Sequence, residues 1–386
     1  MKYQRAWAEI NLAHLSHNLS AVRKYITGSV KIMGIIKADG YGHGAIPVEN
    51  TLLASGVDAL CVATCEEGVA LRENGIAAPI LIMGFTPQPL LPYVLEYNLV
   101  QTVFSVDDAE TLATQAAEYG KRAAIHIEID TGMSRLGFLP NEESMCAICK
   151  IAENPNLRLE GIFTHFATSD AIECGFMHEQ YERFKRVLGG LKERGLDVPV
   201  KHTVNSGALV QAFRETEGIP GQVQDDVLLD IVRPGILLYG HPPSTELVGS
   251  CTPLELKPVM RLMTQVSMVK KLPSDEGISY GHIYKTSRET TIAVLPVGYA
   301  DGYPRRLSQT GRVLVNGQFA PIADAICMDK CMADVTDIPG VKPGDQVIML
   351  DTADNKISAE CLAETVVTIN YEILCCIGKR APRVYM

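Results

Sequence analysis

Lys37 follows the apolar run Met33-Gly34-Ile35-Ile36. A lysine there is partly desolvated, which lowers its pKa and frees the amine to form a Schiff base. Position alone equally allows a lysine that caps a strand toward solvent. The segment Gly40-Tyr41-Gly42-His43-Gly44 comes next. It is not the dinucleotide G-x-G-x-x-G turn, because its alternate residues are too bulky, but its glycines let backbone approach a ligand closely. Two further glycine-bearing segments, Asn205-Ser206-Gly207 and Arg233-Pro234-Gly235-Ile236, offer backbone N–H groups and a hydroxyl suited to a phosphate. Asp130, Arg135 and His165 add titratable groups between them. A lone histidine is ordinarily a satisfied core residue, and a tyrosine after a strand ordinarily packs with one hydrogen bond. Only the constellation raises these residues above that reading. Cys146 and Cys149 form a C-x-x-C without a second such pair, so two cysteines on a helix is the favoured account. The adjacent Cys375-Cys376 is read as packing.

Eight short β-branched runs, each followed by a helical pattern, must position these groups. The predicted strands are 31–37, 58–63, 79–83, 100–104, 124–129, 159–164, 200–204 and 228–232, with helices over 107–119 and 177–194 among those between. Eight alternating units over about 240 residues predict a (β/α)8 barrel, with a doubly wound sheet as the alternative. Barrel active sites gather where strands end at their C-termini. Lys37, Asp130 with Arg135, His165, Asn205-Ser206 and Arg233 all fall there. After Gly240 the pattern changes: 241–257 reads as a linker, then strands at 263–269, 291–297, 311–315 and 346–350 alternate with turns at Asn316-Gly317 and Pro343-Gly344-Asp345. The expected organisation is a barrel over 11–242 and a β-rich domain formed by 1–10 plus 243–386.

The chain has 386 residues and a net charge of -10, which argues against general nucleic-acid binding. No apolar run approaches the ~20 residues of a membrane span. The stretch from Met1 to Glu9 has no apolar core of a signal peptide, and the 11 cysteines are scattered, so a cytoplasmic location is expected.

Taken in order, the motifs resemble the alanine racemase family. They are Trp7-Ala8-Glu9-Ile10-Asn11-Leu12, Lys37-Ala38-Asp39-Gly40-Tyr41-Gly42-His43-Gly44, Asp130-Thr131-Gly132-Met133 with Arg135-Leu136-Gly137, and Thr164-His165-Phe166-Ala167. The match continues through His202 with Asn205-Ser206, Val232-Arg233-Pro234-Gly235, Ser279-Tyr280-Gly281 and Gly298-Tyr299-Ala300-Asp301-Gly302. It ends on Cys327-Met328-Asp329 and Ile369-Asn370-Tyr371-Glu372. The resemblance implies a PLP-dependent racemase that interconverts L- and D-alanine, with pyridoxal 5'-phosphate carried on Lys37 and no metal. It implies a head-to-tail homodimer whose active sites are shared. Lys37 and Tyr280 of the partner subunit would be bases on opposite faces of the substrate, and His165 and Arg233 would support Tyr280, with Arg233 contacting His165 and facing the cofactor's ring nitrogen. Tyr41, Asn205, Ser206, Gly235, Ile236 and Tyr371 would bind the cofactor, most of them at its phosphate. Arg135, Tyr280, Tyr299, Met328 and Asp329 would meet the small amino-acid substrate.

The chain departs from the family pattern in places. Glu128 stands where many members carry a carbamylated lysine beside the arginine matching Arg135, and it is expected to orient Arg135 directly. Asp324-Ala325 replaces a Gly-Arg whose arginine lines the substrate corridor, where Arg305 and Asp170 should remain. Lys330 replaces a usual glutamine. These changes leave a serine or broad-specificity racemase as an alternative. A non-catalytic PLP-binding regulatory protein is an alternative of another class, with a barrel decarboxylase behind it.

Overall fold

The computed structural model describes residues 5–26, 28–215, 228–351 and 356–386. They form two compact units. One holds Leu15–Gly40 and Ala45–Leu256; the other holds the N-terminal segment ending at His14, Tyr41–Gly44 and Lys257–Met386.

After an N-terminal strand β1 (Ala6–Ile10), which belongs to the second unit, the first unit is built on eight strands. They are β2 (Lys31–Ile35), β3 (Ala59–Val62), β4 (Ile80–Ile82), β5 (Val100–Val103), β6 (Ala123–Glu128), β7 (Leu157–Phe163), β8 (Val200–His202) and β9 (Ile231–Val232). Each pairs in parallel with its sequence neighbour from β2 to β8, and β9 returns to pair with β2. The ring closes between β8 and β9, where Arg233 N–H donates to Val204 O and Asn205 bridges Arg233. Near-continuous apolar runs such as Ala-Leu-Cys-Val in β3 are buried along their whole length, as strands covered on both faces must be. Helices start where a side chain can satisfy the free N–H groups of the first turn. Thr64 and Glu67 form a reciprocal capping box before Cys65–Glu73, Ser105 caps Val106–Glu118 and Asn141 caps Glu142–Glu153. Cys146 and Cys149 lie on the last of these, the first exposed and the second half-buried. All eight predicted strands are present, most of them shorter than predicted. The first ends at Ile35, two residues before Lys37, because the chain there leaves extended geometry.

The second unit is mostly β. Its six-stranded sheet is ordered β16-β15-β18-β10-β1-β19, with β10 (Met260–Gln265), β15 (Arg312–Val315), β16 (Gln318–Pro321), β18 (Gln346–Leu350) and β19 (Arg383–Tyr385). β1 is antiparallel to β10 and parallel to β19, so the N-terminal strand is integral to this sheet. A second sheet joins β11 (Met268–Leu272), β14 (Thr290–Leu295) and β17 (Cys331–Asp334), and β12 (Gly277–Ile278) pairs with β13 (Tyr284–Lys285) in a two-stranded ribbon. The single strand predicted over 263–269 is two. At Val266 the backbone N–H turns to Asp345 O and at Ser267 to Val294 O, so the chain crosses from one sheet to the other. Asn316 and Gly317 both take positive φ, 47° and 72°, and make the two-residue hairpin turn between β15 and β16. The predicted linker over 241–257 contains a short 3-10 helix, Gly249–Leu254.

Candidate active site

The barrel positions its chemical groups on the turns that follow its strands. Lys37 opens a short left-handed turn in which Ala38, Asp39, Gly40 and Tyr41 have φ of 53°, 56°, 62° and 53°. Left-handed geometry costs a non-glycine residue roughly 1–2 kcal/mol, so surrounding contacts must impose it. Ala38 N–H donates to Glu67 Oε1 at 2.6 Å, and Ala45 N–H to Asp39 Oδ1 at 2.8 Å. The other oxygen of Glu67 accepts from Ala63 N–H at 2.8 Å, so one carboxylate ties the lysine turn to the next strand's end. Lys37 itself is exposed, which corrects the expectation of a partly desolvated amine: it stands past the apolar strand, on the rim.

Arg233 is 2% exposed and sits inside the barrel at the end of β9. Its guanidinium donates to His202 Nδ1 at 2.6 Å, to Thr164 O at 3.0 Å and to Thr203 O at 3.1 Å. Its Cζ lies 5.3 Å from the centre of the Phe163 ring, which stacks on His202. Burial lowers its pKa to about 10, and it stays charged at neutral pH. The expected bond from Arg233 to His165 is not formed: the two terminal nitrogens are committed to His202 and the two carbonyls, while His165 Nδ1 has no partner among the described residues. Burial, with the charges of Arg233, Arg135 and Lys37, depresses His165 to about 3, so its ring is neutral. His202 in turn meets His126 Nδ1 at 2.8 Å. His126 was not among the sequence candidates. It lies two residues from Glu128 on β6, so both belong to the same face, and two polar residues at that period inside a barrel strand were the available signal.

Glu128 is buried, and burial raises its carboxyl to about 7 against the opposing pull of Arg135 and Arg233. Arg135 is exposed on the loop after β6, and no ion pair joins the two, so the anticipated direct orientation is absent from the single chain. That loop is held by Asp130 Oδ1, which accepts from Gly132 and Ser134 N–H at 3.0 and 2.9 Å.

An anion fits the ends of β8 and β9. The helix Ser206–Glu215 begins there, and the first N–H groups of a helix have no intrahelical acceptor. Asn205 Oδ1 caps it at Ala208 N–H. Ser206 Oγ accepts from Gly235 N–H at 2.8 Å, leaving the hydroxyl proton to donate. Ile236 is fully buried, and among the described residues its N–H donates to no group. A phosphate is the kind of acceptor that would satisfy these donors.

The second unit carries the remaining candidates. Tyr280, Met328 and Tyr299 are 73%, 53% and 42% exposed. Tyr280, Met328 and Asp329, with Ser279, Cys327, Lys330 and Met332, line an open cleft of about 520 Å³. Ser279 and His282 flank Tyr280 with φ of 63° and 46°, and Ser279 Oγ donates to Ala325 O at 2.9 Å. Asp329 pairs with Arg380 at 2.7 Å, and Ala300 N–H donates to Met328 O at 3.0 Å. Tyr41 and Tyr371 lie with ring centres 5.9 Å apart. Gly42 faces protein: a Cβ there would sit 2.5 Å from Leu374 O, so this glycine admits backbone and not the ligand expected. Asp324, Ala325 and Ile326 are all buried, while Arg305 and Asp170 are exposed.

The comparisons with known proteins decide the family. The model of the alanine racemase N-terminal domain matches residues 10–243, and that of the C-terminal domain residues 259–385. The chain belongs to the alanine racemase family. A protein named alanine racemase from Clostridium novyi (strain NT) is 45% identical over 382 residues, covering 98% of this chain and 95% of that one. Another from Halothermothrix orenii is 43% identical over 380 residues, covering 98% and 96%. The solved alanine racemase of Clostridium difficile 630 has a TM-score of 0.92 and 38% identity, covering 100% of this chain and 97% of that one. The structure of alanine racemase from Bacillus anthracis with bound L-Ala-P has a TM-score of 0.90 and 34% identity, covering 100% and 96%. The barrel followed by a mostly β domain is the alanine racemase fold, and the activity is that of an isomerase racemising alanine in a family that depends on pyridoxal phosphate. The serine-racemase and non-catalytic alternatives are not favoured by these relatives. Among the described residues no helix is long and apolar enough to cross a membrane.

Proposed function

We propose that the chain binds pyridoxal 5'-phosphate at the C-terminal end of the barrel and racemises alanine with two bases, Lys37 and Tyr280 of the partner subunit. The observation that carries this reading is the buried donor set at one end of the barrel, with Arg233 and the unsatisfied Ile236 N–H at strand ends neighbouring Lys37. Ser206, Gly235, Ile236 and the helix start capped by Asn205 hold the phosphate. Tyr41 and Tyr371 are assigned to the phosphate by the family resemblance alone. Bound pyridoxal phosphate supplies an electron sink that acidifies the α-proton of an amino acid. Among the described residues Arg233 makes no hydrogen bond through Nε, and an arginine cannot readily yield a proton, so beside a cofactor ring nitrogen it would favour the unprotonated form. This moderates the sink and limits side reactions.

The Lys37 amine would hold the cofactor, and as a free amine it would hold or return a proton on one face of the substrate. Tyr280 of the partner subunit does so on the other. A phenol with a pKa of about 10 is a poor base at neutral pH. His165, neutral as its burial dictates, offers its ring N–H to the phenolate instead of a second cation. Arg135, Tyr299, Met328 and Asp329 receive the substrate. A homodimer with shared sites follows from this division of labour. The cytoplasm is the expected place of action, with D-alanine going to cell-wall synthesis.

The deciding experiment follows α-proton exchange in deuterated water with the cofactor-loaded enzyme and each alanine enantiomer. Tyr280→Phe should suppress exchange from one enantiomer far more than from the other, and Lys37→Ala should abolish both. Equal loss from both enantiomers with Tyr280→Phe would remove the two-base assignment. L-serine run in parallel should exchange more slowly than alanine.

A further inference from the structure

Arginine can only donate, so the His202 Nδ1 that Arg233 meets at 2.6 Å must present a lone pair. Burial and the Arg233 charge hold His202 well below its ordinary pKa and His126 at about 3, so both rings are neutral. A neutral His202 with a bare Nδ1 carries its proton on Nε2. That nitrogen lies 2.8 Å from His126 Nδ1, which must therefore be the acceptor. Every hydrogen bond in the chain Arg233–His202–His126 then runs away from the guanidinium. Room for the last ring is made by Gly161, its partner in register on β7: a Cβ there would lie 2.5 to 2.7 Å from three His126 ring atoms. His126 reaches a cavity at the opposite end of the barrel, lined by Met33, Leu81, Val100 and Ile231, where its own Nε2–H can meet water.

We propose that His126, buried in the barrel on the far side of His202 from Arg233, is a positioning residue: its Nδ1 lone pair fixes His202 with the proton on Nε2, and His202 in turn fixes the Arg233 guanidinium. The functional consequence rests on the reading above that Arg233 meets the cofactor's ring nitrogen; the tautomer does not. Without an acceptor at 126, the His202 Nε2–H is a buried donor without a partner. The ring then turns to find one, and Arg233 loses its side-chain acceptor, keeping only the Thr164 and Thr203 carbonyls.

The test uses the cofactor-loaded enzyme with ¹⁵N-labelled histidine. In the wild type the His202 Nδ1 resonance should be that of an unprotonated acceptor and Nε2 that of a protonated donor. His126→Asn places an amide oxygen near the lost Nδ1 and should keep this signature and the activity. His126→Leu keeps the bulk without the acceptor. It should lose the single-tautomer signature and lower kcat on the order of tenfold, with KM for alanine little changed and a larger share of turnovers ending in transamination. A wild-type His202 protonated on Nδ1 or on both nitrogens overturns the proposal, even if His126→Leu fails to fold. So does His126→Leu with an unaltered signature and kcat, or equal losses in the Asn and Leu variants. If the signature changes in His126→Leu while transamination does not, the tautomer assignment stands and the placement of Arg233 at the ring nitrogen fails.

Discussion

At the scale of single residues, Glu128 shows how burial converts a substitution into a pH dependence. Its carboxyl is 3% exposed without an ion pair, and desolvation outweighs Arg135 and Arg233 to raise it to about 7. A carboxyl raised by folding is tolerated best when protonated. It costs nothing below the unfolded value near 4.5, and the penalty grows as pH rises toward about 7 and then levels off. Glu128→Gln is neutral at every pH. The melting temperature of Glu128→Gln should match the wild type near pH 4.5 and exceed it increasingly up to about pH 7.5, the stability gain reaching about 3 kcal/mol. A difference that does not change with pH would mean that Glu128 ionises normally. If Glu128 also steers Arg135 when substrate is present, Glu128→Ala raises KM for alanine, measured by initial rates; an unchanged KM removes that role. The residues of this site were legible where a motif named them, as with Lys37, His165 and Arg233. Their contacts were not. Arg233 was expected at His165 and is bound to His202, because strand neighbours in a closed barrel are set by register, which a single sequence does not display. His126 escaped notice for the same reason: it shares a short barrel strand with Glu128, and its meaning comes from the ring 2.8 Å away on β8.

At the scale of elements, alternation of β-branched runs with helical patterns was enough to predict eight barrel strands, and Asn316-Gly317 was enough to predict a turn, while the strand β16 that completes its hairpin was not predicted. The left-handed turn after Lys37 was not readable, because Ala38, Asp39 and Tyr41 have no intrinsic preference for it. It is held by Glu67 and Asp39. The segment continues into Tyr41–Gly44, which groups with the C-terminal unit, and there Gly42 combines φ of 80° with close approach to the Leu374 carbonyl. Gly42→Ala therefore meets both a backbone and a contact penalty. Its melting temperature should fall by about 5 °C or more. Gly56→Ala is the control, with φ of 95° and open space around it, and should fall by less. Equal losses from the two would show that the Leu374 contact contributes nothing.

At the scale of the whole molecule, the C-terminal unit displays Tyr280, Ile283, Tyr299 and Met328 with 73%, 53%, 42% and 53% of their surface exposed. Scattered surface apolar residues need no explanation, but Tyr280 and Met328 share one cleft with Asp329 and Lys330. A second copy of the chain is the partner the proposed function requires at that cleft, and a two-fold dimer would bury both clefts at once. Complementation tests this directly. Lys37→Ala and Tyr280→Phe are each expected to be nearly inactive when assembled alone. In a hybrid dimer with shared sites, one site would carry both substitutions and the other neither. Random reassortment makes half of all dimers hybrids, each with one intact site of two, so mixing the two proteins after dissociation should restore about a quarter of wild-type racemase activity. Tagged hybrids purified from the mixture should show about half. If each subunit contains its own complete site, every site in the hybrid still carries one lesion and nothing is restored. Sedimentation of the same hybrid separates that outcome from a simple failure of the subunits to exchange.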